Sequence, residues 1–356
     1  MLKAKRLKKG DKVAIVSLSS GILGENFCSH YIELGQSRIK EFGLVPVFMP
    51  NALKGMDFID KHPEKRAEDL KTAFLDDDIK GIICAIGGLD TFRTIEYLLG
   101  DDEFINAVKN NPKLFTGFSD STVNHLMFYK LGLTTYYGPN YINDFSEMAS
   151  DMLAFTKNAI KNYYFAENIH QKIISSDVWY EERTDFSPNS MGTNRIIHKE
   201  DKGYELLQGK CPFEGELLGG CLESLAELNL GGRNSYQKEV NEKYNIFPLK
   251  EEWKGKILFL ETSEEKPNED EYKTYLRVLK DKGVFENING IIHGKPQNEV
   301  NYELYKKILV DEVGNKDLPI LFNVNFGHAY PRTVLAYGVK VLVNENYIEY
   351  IDNCID

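Results

Sequence analysis

The sequence predicts an α/β protein in two parts: an N-terminal parallel-sheet, Rossmann-like domain over residues 1–166, and a C-terminal mixed α/β domain with a strand-rich region over residues 167–356. Three observations predict it. Through the first half, short apolar runs alternate with amphipathic segments, the pattern of strands covered by helices. Around Tyr163 the texture changes, and from about Ile169 to Gly219 turn residues and short strand-like runs dominate. After Gly220 the alternation returns. A chain of 356 residues is long for one hydrophobic core and suits two.

In order, Val13–Leu18, Leu44–Met49, Gly81–Ile86 and Lys113–Phe118 read as strands, with Cys28–Phe42 and Pro63–Phe74 among the helical segments between them. In parallel sheets of this kind ligands bind outside the carboxyl ends of the strands. The loops carrying Ser17, Ser19, Ser20 and Gly21, then Gly87-Gly88, then Ser119, are therefore expected to face one crevice. Ser187-Pro188-Asn189 and Arg195-Ile196-Ile197 mark the turn-rich stretch. Beyond it, Leu222–Leu230, Glu269–Lys282 and Tyr302–Val313 read as helices, and Lys256–Leu260, Gly290–His293 and Leu318–Asn323 as strands. Val334–Leu342 and Tyr347–Ile351 read as antiparallel strands that end the chain.

The formal net charge of -11 argues against a nucleic-acid or anionic-membrane surface, which would repel the chain at long range. No apolar h-region follows the basic start Lys3-Ala4-Lys5-Arg6, and no uninterrupted apolar run approaches the roughly 20 residues of a membrane span. Cys28, Cys84, Cys211, Cys221 and Cys354 are odd in number and form no C-x-x-C pair, so free thiols in a reducing cytoplasm are expected. The histidines show no H-x-x-x-H pattern or His/Cys cluster, so a metal site is not expected. No G-x-G-x-x-G follows a strand and no P-loop is present.

Chemistry concentrates at Lys113-Leu114-Phe115-Thr116-Gly117-Phe118-Ser119-Asp120-Ser121-Thr122. An apolar run ends at a glycine, and Asp120, Ser121 and Thr122 are good helix-cap residues, so Ser119 falls on a strand-to-helix turn. There its hydroxyl stands clear of the sheet while the first free N–H groups of the helix point at a neighbouring oxygen. Taken alone, the stretch reads first as an ordinary helix start, which Ser and Asp open commonly. Gly87-Gly88 reads either as a plain turn or as a close backbone approach to a ligand. Glu261, at the end of the apolar run Lys256–Leu260, is either a site acid or the start of a solvated acidic loop with Glu264 and Glu265. His328 lies in a loop shaped by Gly327 and Pro331. Together Ser119, His328 and Glu261 supply a nucleophile, a base and an orienting carboxylate. Serine is a weak nucleophile until an imidazole takes its proton, and the imidazole needs an acid on its other nitrogen to fix its tautomer.

The segments Ile86-Gly87-Gly88, Gly117-Phe118-Ser119-Asp120-Ser121-Thr122, Leu218-Gly219-Gly220-Cys221-Leu222, Leu258-Phe259-Leu260-Glu261 and Gly327-His328-Ala329-Tyr330-Pro331 resemble, in that order, the signature of the LD-carboxypeptidase serine peptidases. The resemblance runs from Gly10-Asp11 to Val339. It implies an N-terminal domain carrying the nucleophile Ser119, a C-terminal domain carrying the base His328 and its partner Glu261, and an active site in the cleft between the two. It also implies an oxyanion hole from the backbone N–H groups of Asp120 and Gly88, with Gly87 beside the substrate. A cytoplasmic homodimer without metal or cofactor would follow.

Within that family, peptidoglycan-recycling members release a terminal D-amino acid from an L-centre, whereas microcin C immunity hydrolases cut an amino acid or peptide from a modified nucleotide. Recyclers usually carry an arginine directly before the double glycine; Ile86 stands there in this chain and is similar to the immunity branch. Asp177-Val178-Trp179-Tyr180-Glu181-Glu182 resembles the immunity segment whose tryptophan stacks on the base, and Trp179 reads equally as a core or interface aromatic. The expected substrate is an aminoacyl or peptidyl nucleotide, with a murein tetrapeptide as the alternative. A peptide- or nucleotide-binding module without catalysis is the rival from another class.

Overall fold

In the computed structural model, which describes residues 1–166, 171–231 and 235–356, five short strands begin the chain's first sheet. These are β1 (Lys12–Val16), β2 (Val45–Phe48), β3 (Ile79–Cys84), β4 (Leu114–Gly117) and β5 (Tyr136–Tyr137). β1 pairs with β2 on one side and β3 on the other, β3 with β4, and β4 with β5, all parallel. The order β2-β1-β3-β4-β5 reverses between β1 and β3, the switch point beyond which doubly wound sheets bind ligands. Val13, Ala14, Ile15 and Val16 are all fully buried, as a central strand covered on both faces requires.

Helices α1 (Ser29–Glu41), α2 (Met56–Lys61), α3 (Pro63–Leu75), α4 (Ile95–Leu99), α5 (Asp102–Asn110), α6 (Ser121–Lys130) and α7 (Ala154–Ile160) fill the connections. Local sequence explains their starts. Proline opens α3, where its missing N–H costs nothing, and the Asp101 carboxylate accepts from the N–H groups of Glu103 and Phe104 at the head of α5.

The chain divides into two compact units. The first holds Met1–Glu167, Arg183–Arg195 and Cys354–Asp356; the second holds Asn168–Glu182 and Ile196–Asn353. A buried carboxylate explains why 183–195 belongs to the first. Glu147 accepts from Arg183 Nη2 and Arg195 Nε, each at 2.7 Å, so both ends of the segment are fastened to one charge that burial would otherwise make costly.

The second unit is built on an eight-stranded mixed sheet. Its strands are β6 (Lys172–Ile174), β9 (Glu205–Gln208), β10 (Phe213–Cys221), β11 (Lys256–Glu261), β12 (Gly290–Gly294), β13 (Ile320–Val324), β15 (Lys340–Val343) and β16 (Tyr347–Tyr350). Their order is β6-β16-β15-β10-β11-β12-β13-β9, with β10 to β13 parallel and the outer strands antiparallel. β7 (Val178–Tyr180) and β8 (Ile197–Lys199) pair separately. Helices α8 (Leu222–Leu230), α9 (Tyr236–Tyr244), α10 (Glu269–Asp281) and α11 (Tyr302–Val313) complete the unit.

The expected strand Val334–Leu342 is broken. Only β14 (Leu335–Ala336) and β15 are strands, because Gly338 takes φ 70° between them and donates its N–H to the Leu217 carbonyl. The start of the expected strand-rich stretch, Ile169, lies outside the described residues. Among the described residues no helix is long and apolar enough to cross a membrane.

Candidate active site

In the first unit the chain turns sharply at the end of β4. From Lys113 to Phe128 every residue is buried except Ser119. Ser119 has φ 66°, a left-handed conformation that non-glycine residues hold only when their surroundings enforce it. Those surroundings are visible: its N–H donates to Tyr137 Oη at 3.0 Å, and its carbonyl accepts from the Thr122 N–H at 2.9 Å and the Thr122 hydroxyl at 2.7 Å. The side chain is thereby presented at the head of α6.

The loops after β1, β3 and β4 converge on this turn. A Cβ at Gly87 would stand 2.7 Å from Ser119 Cβ and 2.9 Å from its Oγ, and one at Gly88, φ 152°, would collide with Ser19 Oγ. The double glycine thus lets its backbone pass close to Ser119 and Ser19.

Asp120 corrects a local expectation. It does not cap α6 with its side chain; the buried carboxylate accepts from Ser19 Oγ at 2.6 Å and from the Thr91 N–H at 2.8 Å, tying the three loops together. Burial pushes its pKa up to about 6 against the pull of these two bonds. Behind the β3 loop, the fully buried Arg66 grips Asp90 through Nη1 at 2.7 Å and Nη2 at 3.2 Å and donates to the Leu18 carbonyl.

In the second unit β11 ends in Glu261, which is fully buried. Its Oε2 accepts from His328 Nδ1 at 2.8 Å and from the His328 backbone N–H at 3.0 Å, so one carboxylate oxygen fixes both the ring and the loop that carries it. Two glycines make room: a Cβ at Gly327, φ 80°, would collide with the Glu261 carboxyl, and one at Gly294 would lie 2.7 Å from Glu261 Cβ. Nε2 of His328 faces Glu264 Oε2 at 2.9 Å. Burial disfavours the imidazolium, but Glu261 and Glu264 outweigh it and lift its pKa to about 10. Glu264 is therefore more than a solvated loop acid, although its side chain is 64% exposed.

The corner holds more acid than the sequence pattern suggested. Glu223, on α8, is buried, and its Oε1 accepts from the Ser263 N–H at 2.8 Å. Burial and the nearby Glu261 raise its pKa. Cys221 Sγ lies 3.4 Å from Glu223 Oε2. Cys221, Glu261 and His328 bring one ligand-type atom each within 4.8 Å of one another, the chemistry of a metal site. The 2.8 Å between His328 Nδ1 and Glu261 Oε2 is a hydrogen bond, however, whereas ligand atoms around a tetrahedral zinc stand about 3.4 Å apart. No spacing rule finds this trio, since 40 residues of chain separate its first two members.

Trp179 lies half-buried on β7, opposite His198 of β8. The two rings stack at 4.1 Å and 13°, and Lys295 Nζ, held by Glu200 and Glu299, is 5.1 Å from the indole centroid. Each unit thus assembles its own part of the predicted constellation: Gly87, Gly88, Ser119 and Asp120 in the first, Glu261 and His328 in the second.

Models of the LD-carboxypeptidase N-terminal domain and C-terminal domain match residues 13–138 and 214–343. An MccF-like protein from Streptococcus pneumoniae, solved in complex with AMP, is 47% identical over 97% of this chain and 99% of its own, with a TM-score of 0.93. A Bacillus subtilis protein named as a probable murein peptide carboxypeptidase is 28% identical over 96% of this chain and 91% of its own length. The microcin C7 self-immunity protein MccF of Escherichia coli is 24% identical over 79% of this chain and 76% of its own.

Proposed function

The chain belongs to the LD-carboxypeptidase family and is an enzyme of the serine carboxypeptidase type, and from that premise we propose that it hydrolyses an amide bond with Ser119 as nucleophile, His328 as general base and Glu261 as the carboxylate that orients the base. The observation that carries this reading is the buried Glu261–His328 pair, bonded at 2.8 Å. A pair of this kind is what a serine held at φ 66° on a strand-to-helix turn requires for activation.

In this reading Ser119 Oγ attacks the carbonyl carbon while His328 Nε2 takes its proton. The C–N bond breaks as that proton passes to the leaving nitrogen. Water, activated by the same imidazole, then frees the acid from the acyl-enzyme. The N–H groups of Asp120 and Gly88 meet the negative charge on the carbonyl oxygen, and Gly87 leaves space beside Oγ. The acyl part is an amino acid or short peptide and the leaving part a nucleotide, with Trp179 offering its ring to the base. The AMP held by the 47% identical relative supports the nucleotide. The enzyme is taken to be a cytoplasmic homodimer that needs neither metal nor cofactor and has no nucleic-acid or membrane partner.

A second reading, release of the terminal D-amino acid of murein tetrapeptide, is favoured by the name of the 28% identical relative. The test is a mass-spectrometric assay of wild type and Ser119→Ala against an aminoacyl sulfamoyl adenosine and an LD-tetrapeptide. Loss of the adenosine conjugate alone, abolished in the variant, supports the first reading. Release of the D-residue moves the enzyme to the second. If neither is cut and no reagent labels Ser119 covalently, a binding module replaces both.

A further inference from the structure

The imidazole nitrogen that must receive the serine proton already has a partner. Nε2 of His328 presents a single in-plane position for a hydrogen-bond partner, and the Glu264 carboxylate stands there at 2.9 Å. A serine hydroxyl and Glu264 compete for that position, so the contact seen here is incompatible with base catalysis until Glu264 withdraws. The two acids on the ring differ in how they are held. Glu261 is buried and bonds two donors of His328, whereas the Glu264 side chain is 64% exposed, on a loop after β11, so it can swing without opening the core.

Its surroundings say what would draw it away. Glu223 and Glu261 are buried in the same corner, Glu261 and Glu264 face the two ring nitrogens, and one buried guanidinium, that of Arg332, donates to the His328 carbonyl, so carboxylates outnumber it there. A corner of this sign repels phosphate or a carboxylate and attracts a cation. In an acyl amino acid the α-nitrogen sits about 2.5 Å from the carbonyl carbon under attack, by covalent geometry alone. A carboxylate leaving Nε2 therefore needs to travel only a few ångströms to meet it.

We propose that Glu264 is a displaceable clamp and specificity residue: it covers His328 Nε2 in the free enzyme and leaves it to bind the free α-ammonium group of the substrate's acyl amino acid. This rests on the serine-hydrolase reading of the same site and narrows its substrates to acyl groups with an unblocked amino terminus. Glu264 acts through His328 and on recognition, so it is a positioning residue whose loss alters selectivity rather than abolishing turnover.

The experiment compares kcat/KM for an aminoacyl sulfamoyl adenosine and its Nα-acetylated form in wild type, Glu264→Ala and Glu264→Asp, with 15N-histidine spectra of the free proteins. Wild type is expected to prefer the free amine by about 10- to 100-fold, the range of one charged hydrogen bond. The preference should collapse in Glu264→Ala, mainly through KM for the free amine, and recover in part in Glu264→Asp. The Nε2 signal of His328 should move in Glu264→Ala without substrate. An unchanged preference overturns the ammonium contact, and an unmoved Nε2 signal overturns the clamp. If wild type cuts neither compound, the hydrolase reading and the substrate assignment fall together, and the Nε2 signal still decides whether Glu264 covers the ring.

Discussion

His125 and His328 are both buried histidines, one in each unit, and their surroundings drive them to opposite charge states. His125 lies on α6, two turns past Ser119. Its Nε2 donates to the Gly117 carbonyl at 2.9 Å, its Nδ1 accepts from the Thr135 hydroxyl at 2.8 Å, and Phe115 and Tyr137 pack on the ring. The Gly117 carbonyl and the Thr135 hydroxyl carry no charge, and burial pushes its pKa down to about 3. His328 is buried as well, but two carboxylates face its nitrogens and hold it near 10. Burial alone expels the proton; charge placed at hydrogen-bond distance keeps it. The first histidine is a strut under the Ser119 turn, and the second is the proton carrier of the proposed reaction. Their stability contributions therefore oppose each other in pH. Below about 6.5 the unfolded chain binds a proton that folded His125 refuses, so that contribution is lost as pH falls from 6.5 toward 3. The contribution of His328 is complete below 6.5 and is lost as pH rises through 10.

The sharpest way to break this contrast is a pair of substitutions. His328→Gln should lower turnover by at least about 10³-fold, and because it also removes the charged partner of buried Glu261 it is read at a temperature where the variant remains folded. His125→Gln should act on stability instead, costing about 1–3 kcal/mol at a site that fits imidazole, with turnover near wild type. Parallel kcat and calorimetric measurements decide it, and a folded but inactive His125 variant would end the division of roles. Glu261→Ala should cost about 10³- to 10⁴-fold in turnover and bring the His328 titration down from its raised value, followed by NMR. On the other side, Gly87→Ala adds a Cβ against Ser119 and should displace its hydroxyl, lowering kcat by about 10- to 100-fold in a protein whose circular dichroism is unchanged. A separate effect is in acid: urea unfolding of wild type should weaken between pH 6.5 and 3, and that slope should flatten in His125→Gln. An identical slope in both proteins would show that His125 titrates normally when folded.

Much of the fold is legible in the chain because the signals are local. Continuous apolar runs between amphipathic segments locate β1, β3, β4, β11 and β12, and the spacing over Leu222–Leu230 and Tyr302–Val313 matches α8 and α11. Where local signals compete with distant partners, the reading fails. Val334–Leu342 looks like one strand, but Gly338 bends it to bond Leu217, a residue 121 positions earlier. Asp120 has the chemistry of a helix cap, yet Ser19 and Thr91, brought by two other strands, take its carboxylate. Glu264 carries the pattern of a solvated acid and has an imidazole as its partner.

What the sequence by itself determined is the kind of protein: parallel strands with helices between them, glycines where backbones must approach, and a serine, an acid and a histidine each placed at or beyond a strand end. Periodicity and turn chemistry act over a few residues, so they survive in the chain without its fold. Only the tertiary structure decided which oxygen each of those groups faces. Hydrogen bonds at 2.6 and 2.8 Å between residues 101 and 67 positions apart depend on strand order and on space cleared by Gly87, Gly294 and Gly327. The charge of each buried histidine follows from those distances and not from its place in the chain.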